Sequence, residues 1–147
     1  MPAIARRHRL LLAFALPAVL SLAACGSGVS LDEPIEGPTW RLVQLQGEMV
    51  DGGGDPQGTP SVQFGSDGRA VGSGGCNRFS GTYSRTASQL RIGQLAATRM
   101  ACVAPERGQR EMQFFQALQS TASYRLQAPA RLVLLDGSGR TVAMLQR

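Results

Sequence analysis

Three pairs of short apolar segments, each pair separated by a turn, constrain the fold more than any other feature of this 147-residue chain. Apolar and polar residues alternate at residues 61–64, which is the period of a half-buried β-strand. Short turns join the members of each pair, as in β-hairpins, and the first and third turns are rich in Gly, Asp and Ser. The sequence therefore predicts hairpins at residues 61–72, 82–92 and 132–145. A first strand is predicted at residues 40–45, with Trp40 facing inward.

One segment between the second and third hairpins changes to the helical period. Pro105 suits the first turn of a helix, and Glu106 places an acid near the positive helix end. Three apolar side chains then recur at helical spacing: Met112, Phe115 and Leu118. We predict one helix near residues 105–120 that covers an open face or mouth of the sheet. The predicted fold class is α+β, a small, strongly curved antiparallel β-sheet or partial barrel with one packed α-helix.

The N-terminal residues have the features of an export signal. Arg6, Arg7 and Arg9 precede an apolar run at residues 10–20, which is shorter than the roughly 20 residues that span a bilayer. The run leads into a segment that resembles the bacterial lipobox: Leu22-Ala23-Ala24-Cys25-Gly26.

The lipobox resemblance implies removal of the signal peptide, residues 1–24, and acylation of Cys25 by chains such as palmitate. Two or more acyl chains hold a protein stably on a membrane. Gly26 stands where an inner-membrane retention signal has Asp, so the resemblance implies the outer membrane, facing the periplasm. Residues 25–38 are predicted to be the lipidated cysteine and a flexible tether, and residues 39–147 one domain. An ordinary secreted protein is the alternative.

The residue types that remain after cleavage exclude several kinds of site. All 15 basic residues are arginines, and the only histidine, His8, lies in the leader. The mature chain thus lacks the commonest general base and metal ligand as well as the Schiff-base lysine. Four aspartates adjoin or closely neighbour glycines, where Asp forms turns: Asp51, Asp55, Asp67 and Asp136. We expect a protein that is not an enzyme and that needs no cofactor or metal.

Two further segments carry a specific motif. The first is Gly72-Ser73-Gly74-Gly75-Cys76-Asn77-Arg78-Phe79-Ser80-Gly81-Thr82-Tyr83, and the second is Thr98-Arg99-Met100-Ala101-Cys102. They resemble the hallmarks of the META domain family, G-x-x-G-C-N-x-[FY]-x-G-x-Y and T-x-M-A-C, of which the bacterial HslJ lipoproteins are members. The resemblance covers residues 39–145. It implies a small curved antiparallel sheet with a packed helix, an association with heat shock and antibiotic tolerance, and no established catalytic residue.

Cys76 and Cys102 are the two thiols left once Cys25 is acylated. An even number of thiols in an oxidising compartment favours a disulfide, which would stabilise the domain by about 3.5 kcal/mol through loop closure. Buried free thiols and a redox-active pair are the alternatives. One cysteine pair without His does not fill a tetrahedral zinc site, so a metal-binding pair is not favoured.

The remaining motif residues are predicted to have structural roles. The glycines suit positive φ or close approach of the backbone, Asn77 can bond orphaned backbone groups, and the two aromatic residues can pack in the core. These structural positions are Gly72, Gly75, Asn77, Phe79, Gly81, Tyr83, Thr98 and Met100.

The expected function is that of a membrane-anchored envelope lipoprotein, not an enzyme, that supports stress or antibiotic tolerance by a binding or structural role. Its expected partners are the membrane, through the lipid anchor, and an envelope protein or a small apolar ligand. Removal of the leader lowers the net charge from +5 to about +2, so a nucleic-acid partner is not expected. The alternatives are a binding module for an apolar small molecule or envelope protein, and a secreted enzyme inhibitor.

Overall fold

The computed structural model describes residues 34–51 and 58–147, so Cys25 and Asp55 lie outside the described residues. The described part contains strands and a helix in this order: β1 (Thr39–Leu45), β2 (Glu48–Met49), β3 (Ser61–Phe64), β4 (Arg69–Ser73), β5 (Arg78–Thr86), β6 (Gln89–Ile92), β7 (Ala96–Ala97), α1 (Pro105–Ser120), β8 (Thr121–Gln127), β9 (Arg131–Asp136) and β10 (Thr141–Gln146).

Eight strands form a closed antiparallel barrel. Their order around the barrel is β1, β3, β4, β5, β6, β8, β9 and β10, and β10 pairs back with β1 from Arg41 opposite Gln146 to Leu45 opposite Ala143. This closure corrects the expected partial barrel, because pairing the first and last strands removes the two open edges of the sheet. Over residues 34–51 and 58–147 the fold is mostly β, with one helix.

The curvature of the sheet has local causes. The register shifts between Leu42 and Gln44 in β1, between Thr121 and Ser123 in β8, and near the start of β10. Such bulges bend a strand and increase its twist. β6 and β8 form the shortest strand pairing in the barrel. Their one pair of opposite residues is Gln89 and Ser123.

The three hairpins are confirmed as β3–β4, β5–β6 and β9–β10. In the first turn Gly68 has φ +78°, and the Arg69 amide donates to Asp67 Oδ1 at 3.1 Å. The helix is also confirmed, over Pro105–Ser120. The strand that follows it directly, β8, was not predicted.

The buried face of α1 differs from the predicted Met112, Phe115, Leu118 stripe. Met112 is 67% exposed, and the buried residues are Glu111, Phe114, Ala117 and Leu118. The helix contacts β1, β6, β9 and β10, so it lies across several strands at one end of the barrel. Because the buried face is centred near Phe114, that ring packs against Phe79, with 6.3 Å between ring centroids.

The barrel interior is filled by side chains that include Trp40, Phe64 and Leu145, each at most 1% exposed. Ile35 belongs to the same core, and its carbonyl accepts a hydrogen bond from Trp40 Nε1 at 2.8 Å. The folded domain therefore begins by Ile35 rather than at Thr39. Residues 35–37, which the prediction assigned to the tether, contact the barrel.

Candidate functional site

The two motif segments meet at a disulfide between Cys76 and Cys102, whose Cα atoms are 5.6 Å apart. Cys76 lies in the loop between β4 and β5, and Cys102 lies between β7 and α1. The disulfide therefore ties the barrel to the segment that enters the helix. Both cysteines are half-buried, and a cleft of about 250 Å³ lies beside them.

Glu111, on the buried face of α1, is the centre of the hydrogen bonding beside this disulfide. Its Oε2 accepts from the Cys76 amide at 3.1 Å and from the Asn77 amide at 2.5 Å, and its Oε1 accepts from Asn77 Nδ2 at 2.7 Å. Glu111 is 6% exposed. A buried carboxylate with three donors holds the β4–β5 loop against the helix, because hydrogen bonds to a charged acceptor are stronger than neutral ones.

Asn77 connects Glu111 to the second motif segment. Its Oδ1 accepts from Thr98 Oγ1 at 2.8 Å and from the Met100 amide at 2.7 Å, and its Nδ2 also donates to the Met100 carbonyl at 3.2 Å. The Arg78 amide donates to Thr98 Oγ1 at 3.2 Å. The Asn77 side chain thus bonds both backbone groups of Met100, two residues before Cys102, as well as the Glu111 carboxylate. Met100 contributes its backbone, and its side chain is 61% exposed.

The glycines allow the loop to approach its neighbours. Gly75 has φ +100°, and a Cβ there would lie 2.7 Å from the Gly58 carbonyl oxygen. A Cβ on Gly74 would overlap the Glu111 side chain. Gly72 and Gly81 lie within β4 and β5, and a Cβ on either would collide with a neighbouring segment.

The aromatic motif residues occupy two environments. Phe79 is buried and packs edge-on against Phe115, with centroids 5.2 Å apart. Tyr83 is half-buried, its ring lies 4.9 Å from Phe64, and its one hydroxyl proton is shared between the Gly65 carbonyl oxygen at 2.7 Å and Glu36 Oε1 at 3.2 Å. Burial, followed by the charge of Glu36, raises the pKa of Tyr83 to about 12.

Glu36 also fastens the start of the domain to the barrel. Its Oε1 pairs with Arg85 Nε at 3.1 Å, and Arg85 donates to the Tyr124 hydroxyl at 2.8 Å. The hydrogen bond to Tyr124 raises the pKa of Arg85. These contacts are distant in sequence from the disulfide motif, and they hold the segment that follows the predicted tether.

The described aspartates at turns act as turn formers. Asp136 accepts from the Ser138 and Arg140 amides and pairs with the Arg140 side chain at 2.9 Å. Hydrogen bonds from Ser138, together with those from Arg140, lower the pKa of Asp136. Within residues 34–51 and 58–147, every buried side-chain nitrogen or oxygen has a hydrogen-bond partner.

Two larger clefts lie along α1. One of about 450 Å³ separates the helix from the β1–β2 turn, and one of about 480 Å³ separates its last turns from the β9–β10 hairpin; Gln46 lines both. The first is lined by Leu45, Gln46, Glu48, Met49, Val50, Arg110 and Gln113. The second is lined by Gln46, Gln116, Ala117, Ser120, Asp136, Arg140, Thr141 and Val142. Within the described ranges, no helix is long and apolar enough to cross a membrane.

Sequence reasoning missed Glu111 as the central residue of the motif. A signal for it exists, because Glu111 precedes Phe114 by three residues and Leu118 by seven, which puts a carboxylate on the apolar face of the helix. Such a position requires partners for the buried charge. Asn77 and the two backbone amides are those partners.

The closed barrel with one helix across its end, joined to the sheet through a Gly-Cys-Asn loop, defines a class of small β-rich domains. Within that class, the chain belongs to the META domain family, whose profile matches residues 33–147.

Solved structures agree with this assignment. A protein solved by NMR from Burkholderia xenovorans is 28% identical, with a TM-score of 0.60 over 77% of this chain and 83% of that one. Another NMR structure is 27% identical, with a TM-score of 0.57 over 74% and 86%. A DUF4847 family protein from Bacteroides vulgatus, 17% identical with a TM-score of 0.52 over 76% and 93%, shares the fold. A search of curated proteins returns no match.

Proposed function

We propose that this chain is a lipid-anchored envelope protein whose META domain is a non-enzymatic binding domain that supports stress tolerance. The observation that carries the binding role is the position of the two larger clefts, which lie outside the barrel along α1. Their volumes fall within the range of ligand pockets in proteins.

The packing of the interior favours an external partner over a ligand inside the barrel. Eight strands enclose a space that side chains can fill, and here Trp40, Phe64 and Phe114 are among the residues that fill it. A small apolar molecule would have to displace these side chains from a close-packed core. The alternative of an apolar ligand is therefore the less favoured one.

The chemistry of the clefts suits a protein segment. Gln46, Gln113 and Gln116 offer amide donors and acceptors, Arg110 offers a cation, and Met49 is a 74% exposed apolar side chain at the rim. Protein interfaces combine such apolar and polar groups and are enriched in Met and Arg. We infer that the partner is an envelope protein rather than a small apolar ligand.

The lipid anchor limits where this partner is found. The leader and the lipobox resemblance support acylation of Cys25, and Ile35 is already part of the core. The intervening residues 26–34 reach at most about 30 Å when fully extended. The clefts therefore work close to a membrane surface, and the partner is membrane-associated or passes near it.

Photo-crosslinking in intact cells tests the binding role. A photoreactive residue is placed at Gln113 or Gln116 in the clefts, and at exposed Ser66 in the β3–β4 turn as the matched control. We expect a protein adduct of the same size from both cleft positions, lost when Cys25→Ala removes the anchor. An adduct formed equally well from Ser66, or none from the cleft positions, contradicts the proposal.

A further inference from the structure

We propose that reduction of the Cys76–Cys102 disulfide creates a divalent-metal site, with Cys76, Cys102 and Glu111 as protein ligands and zinc as the metal class it fits best. This inference is independent of the proposed binding role. One ligand atom from each of the three residues lies within 4.8 Å of the other two. A lone cysteine pair does not fill a zinc site, and the fold adds Glu111 to that pair as a third ligand.

The ligand set matches zinc chemistry. Zinc binds thiolate sulfur at about 2.3 Å and carboxylate oxygen at about 2.0–2.2 Å in tetrahedral geometry. Two thiolates and Glu111 supply three positions, and a water molecule from the adjoining cleft of about 250 Å³ can supply the fourth. A site with three protein ligands and one open position is the arrangement that zinc adopts where it meets a substrate.

Glu111 is already held in place for this role. Two amides fix Oε2, and Asn77 Nδ2 fixes Oε1, which keeps a lone pair for the metal. Hydrogen bonds from outer groups that orient a ligand are a regular part of metal sites and raise metal affinity. The motif residue Asn77 would therefore orient the carboxylate in both the oxidised and the reduced protein.

The disulfide is placed where a reductant can reach it. Both cysteines are half-buried, and the cleft beside them opens to solvent between Met100, Val103 and Arg107. Cys102 Sγ lies against the first turn of α1, where a Cβ on Gly108 would be 3.5 Å from the sulfur.

A dithiol, the class of reductant used in thiol–disulfide exchange, can reduce the Cys76–Cys102 disulfide. The dithiol gives two electrons and two protons to the protein disulfide and becomes a disulfide itself, leaving Cys76 and Cys102 as thiols. Binding of Zn²⁺ then displaces the two thiol protons as two metal–sulfur bonds form. In the oxidised protein the sulfurs are bonded to each other, so the site is closed.

Cobalt titration of the full-length lipidated protein tests the proposal. The protein is purified in detergent without a histidine tag and reduced with a phosphine, which adds no competing thiol. Co²⁺ is expected to produce thiolate-to-metal charge-transfer absorption that saturates at one equivalent and disappears when Zn²⁺ is added. The oxidised protein is expected to show no such band. A band of equal strength in the oxidised protein, or none in reduced protein that circular dichroism shows to be folded, overturns the proposal.

A matched pair of variants tests the third ligand. We expect Glu111→Gln to weaken Co²⁺ binding by at least about tenfold, whereas Glu106→Gln, an exposed acid on the same helix, binds like the wild type. Equal binding by both variants overturns the role of Glu111. X-ray absorption of the reduced wild-type zinc complex decides the case if Glu111→Gln fails to fold. Two sulfur ligands with oxygen completing the shell support the site, and no sulfur or four sulfurs contradicts it.

Discussion

Replacing Glu111 with Ala should destabilise the domain by about 4 kcal/mol. The change removes the acceptor of three donors: the amides of Cys76 and Asn77 and the Asn77 side chain. Hydrogen bonds to a charged group contribute about 1.5–3 kcal/mol each. We take values near the lower end, because the Cys76 amide is only partly buried and water from the adjoining cleft can satisfy part of what is lost. For a domain of this size, the loss corresponds to a fall in Tm of about 15 °C.

Urea unfolding followed by Trp40 fluorescence measures this loss directly. Trp40 is the only tryptophan, and it is 1% exposed in the barrel interior, so its emission reports whether the core is intact. The disulfide is kept oxidised throughout. The control Glu106→Ala, exposed in the first turn of α1, should change stability by less than about 0.5 kcal/mol. A loss below about 1 kcal/mol in Glu111→Ala refutes the claim that this carboxylate holds the motif together.

Four further outcomes can be measured. The double change Cys76→Ser and Cys102→Ser should lower the free energy of unfolding by about 3.5 kcal/mol in the same urea assay, through loss of loop closure; an unchanged midpoint contradicts this. Because the pKa of Tyr83 is raised to about 12, its contribution is present below pH about 10 and is lost as pH rises through 12. Tyr83→Phe should therefore show a smaller alkaline loss of stability than the wild type. Because the pKa of Asp136 is lowered, its contribution is present above pH about 4 and is lost at lower pH. Asp136→Asn should accordingly lose less stability than the wild type as the pH falls below about 4. An equal loss in the two proteins refutes the contribution of Asp136. Cys25→Ala should move the protein from the membrane fraction to the soluble fraction, and unchanged membrane association counts against the lipid anchor.

Local features of the chain were predictable because their causes are local. The β3–β4 and β9–β10 hairpins follow from short apolar segments on both sides of turns that contain Asp67 and Asp136, and both turns are held by those side chains. The helix begins at Pro105, whose missing N–H is tolerated in a first turn. Closure of the barrel was not predictable in this way. It depends on β1 pairing with β10, two strands at opposite ends of the domain, and nothing in either segment encodes that pairing.

Strand β8 and the burial of Ile35 were not predicted from the sequence, for the same physical reason. Thr121 both ends α1 and begins β8. No glycine or proline lies between the two elements, so the sequence does not mark the boundary between helix and strand. Ile35 lies in a segment of low apolar content, and it packs in the core while its carbonyl accepts a hydrogen bond from the Trp40 indole. In both places tertiary contacts decide the structure.

The candidate site also combines features with local causes and features that depend on tertiary contacts. The paired cysteines and the Gly-Cys-Asn loop are visible as a motif, whereas Glu111 joins them only because the fold brings α1 against that loop. A carboxylate on an apolar helix stripe is the sequence signal that points to such a partner.

The mass of the protein isolated from cell membranes tests the central claim, that a META domain is tethered to the envelope by lipid, most directly. The account predicts a chain that begins at Cys25, carries diacylglycerol and a further acyl chain, and gains two hydrogens on reduction as the Cys76–Cys102 disulfide opens. A chain that retains residues 1–24, or one that is cleaved but carries no lipid, would contradict it.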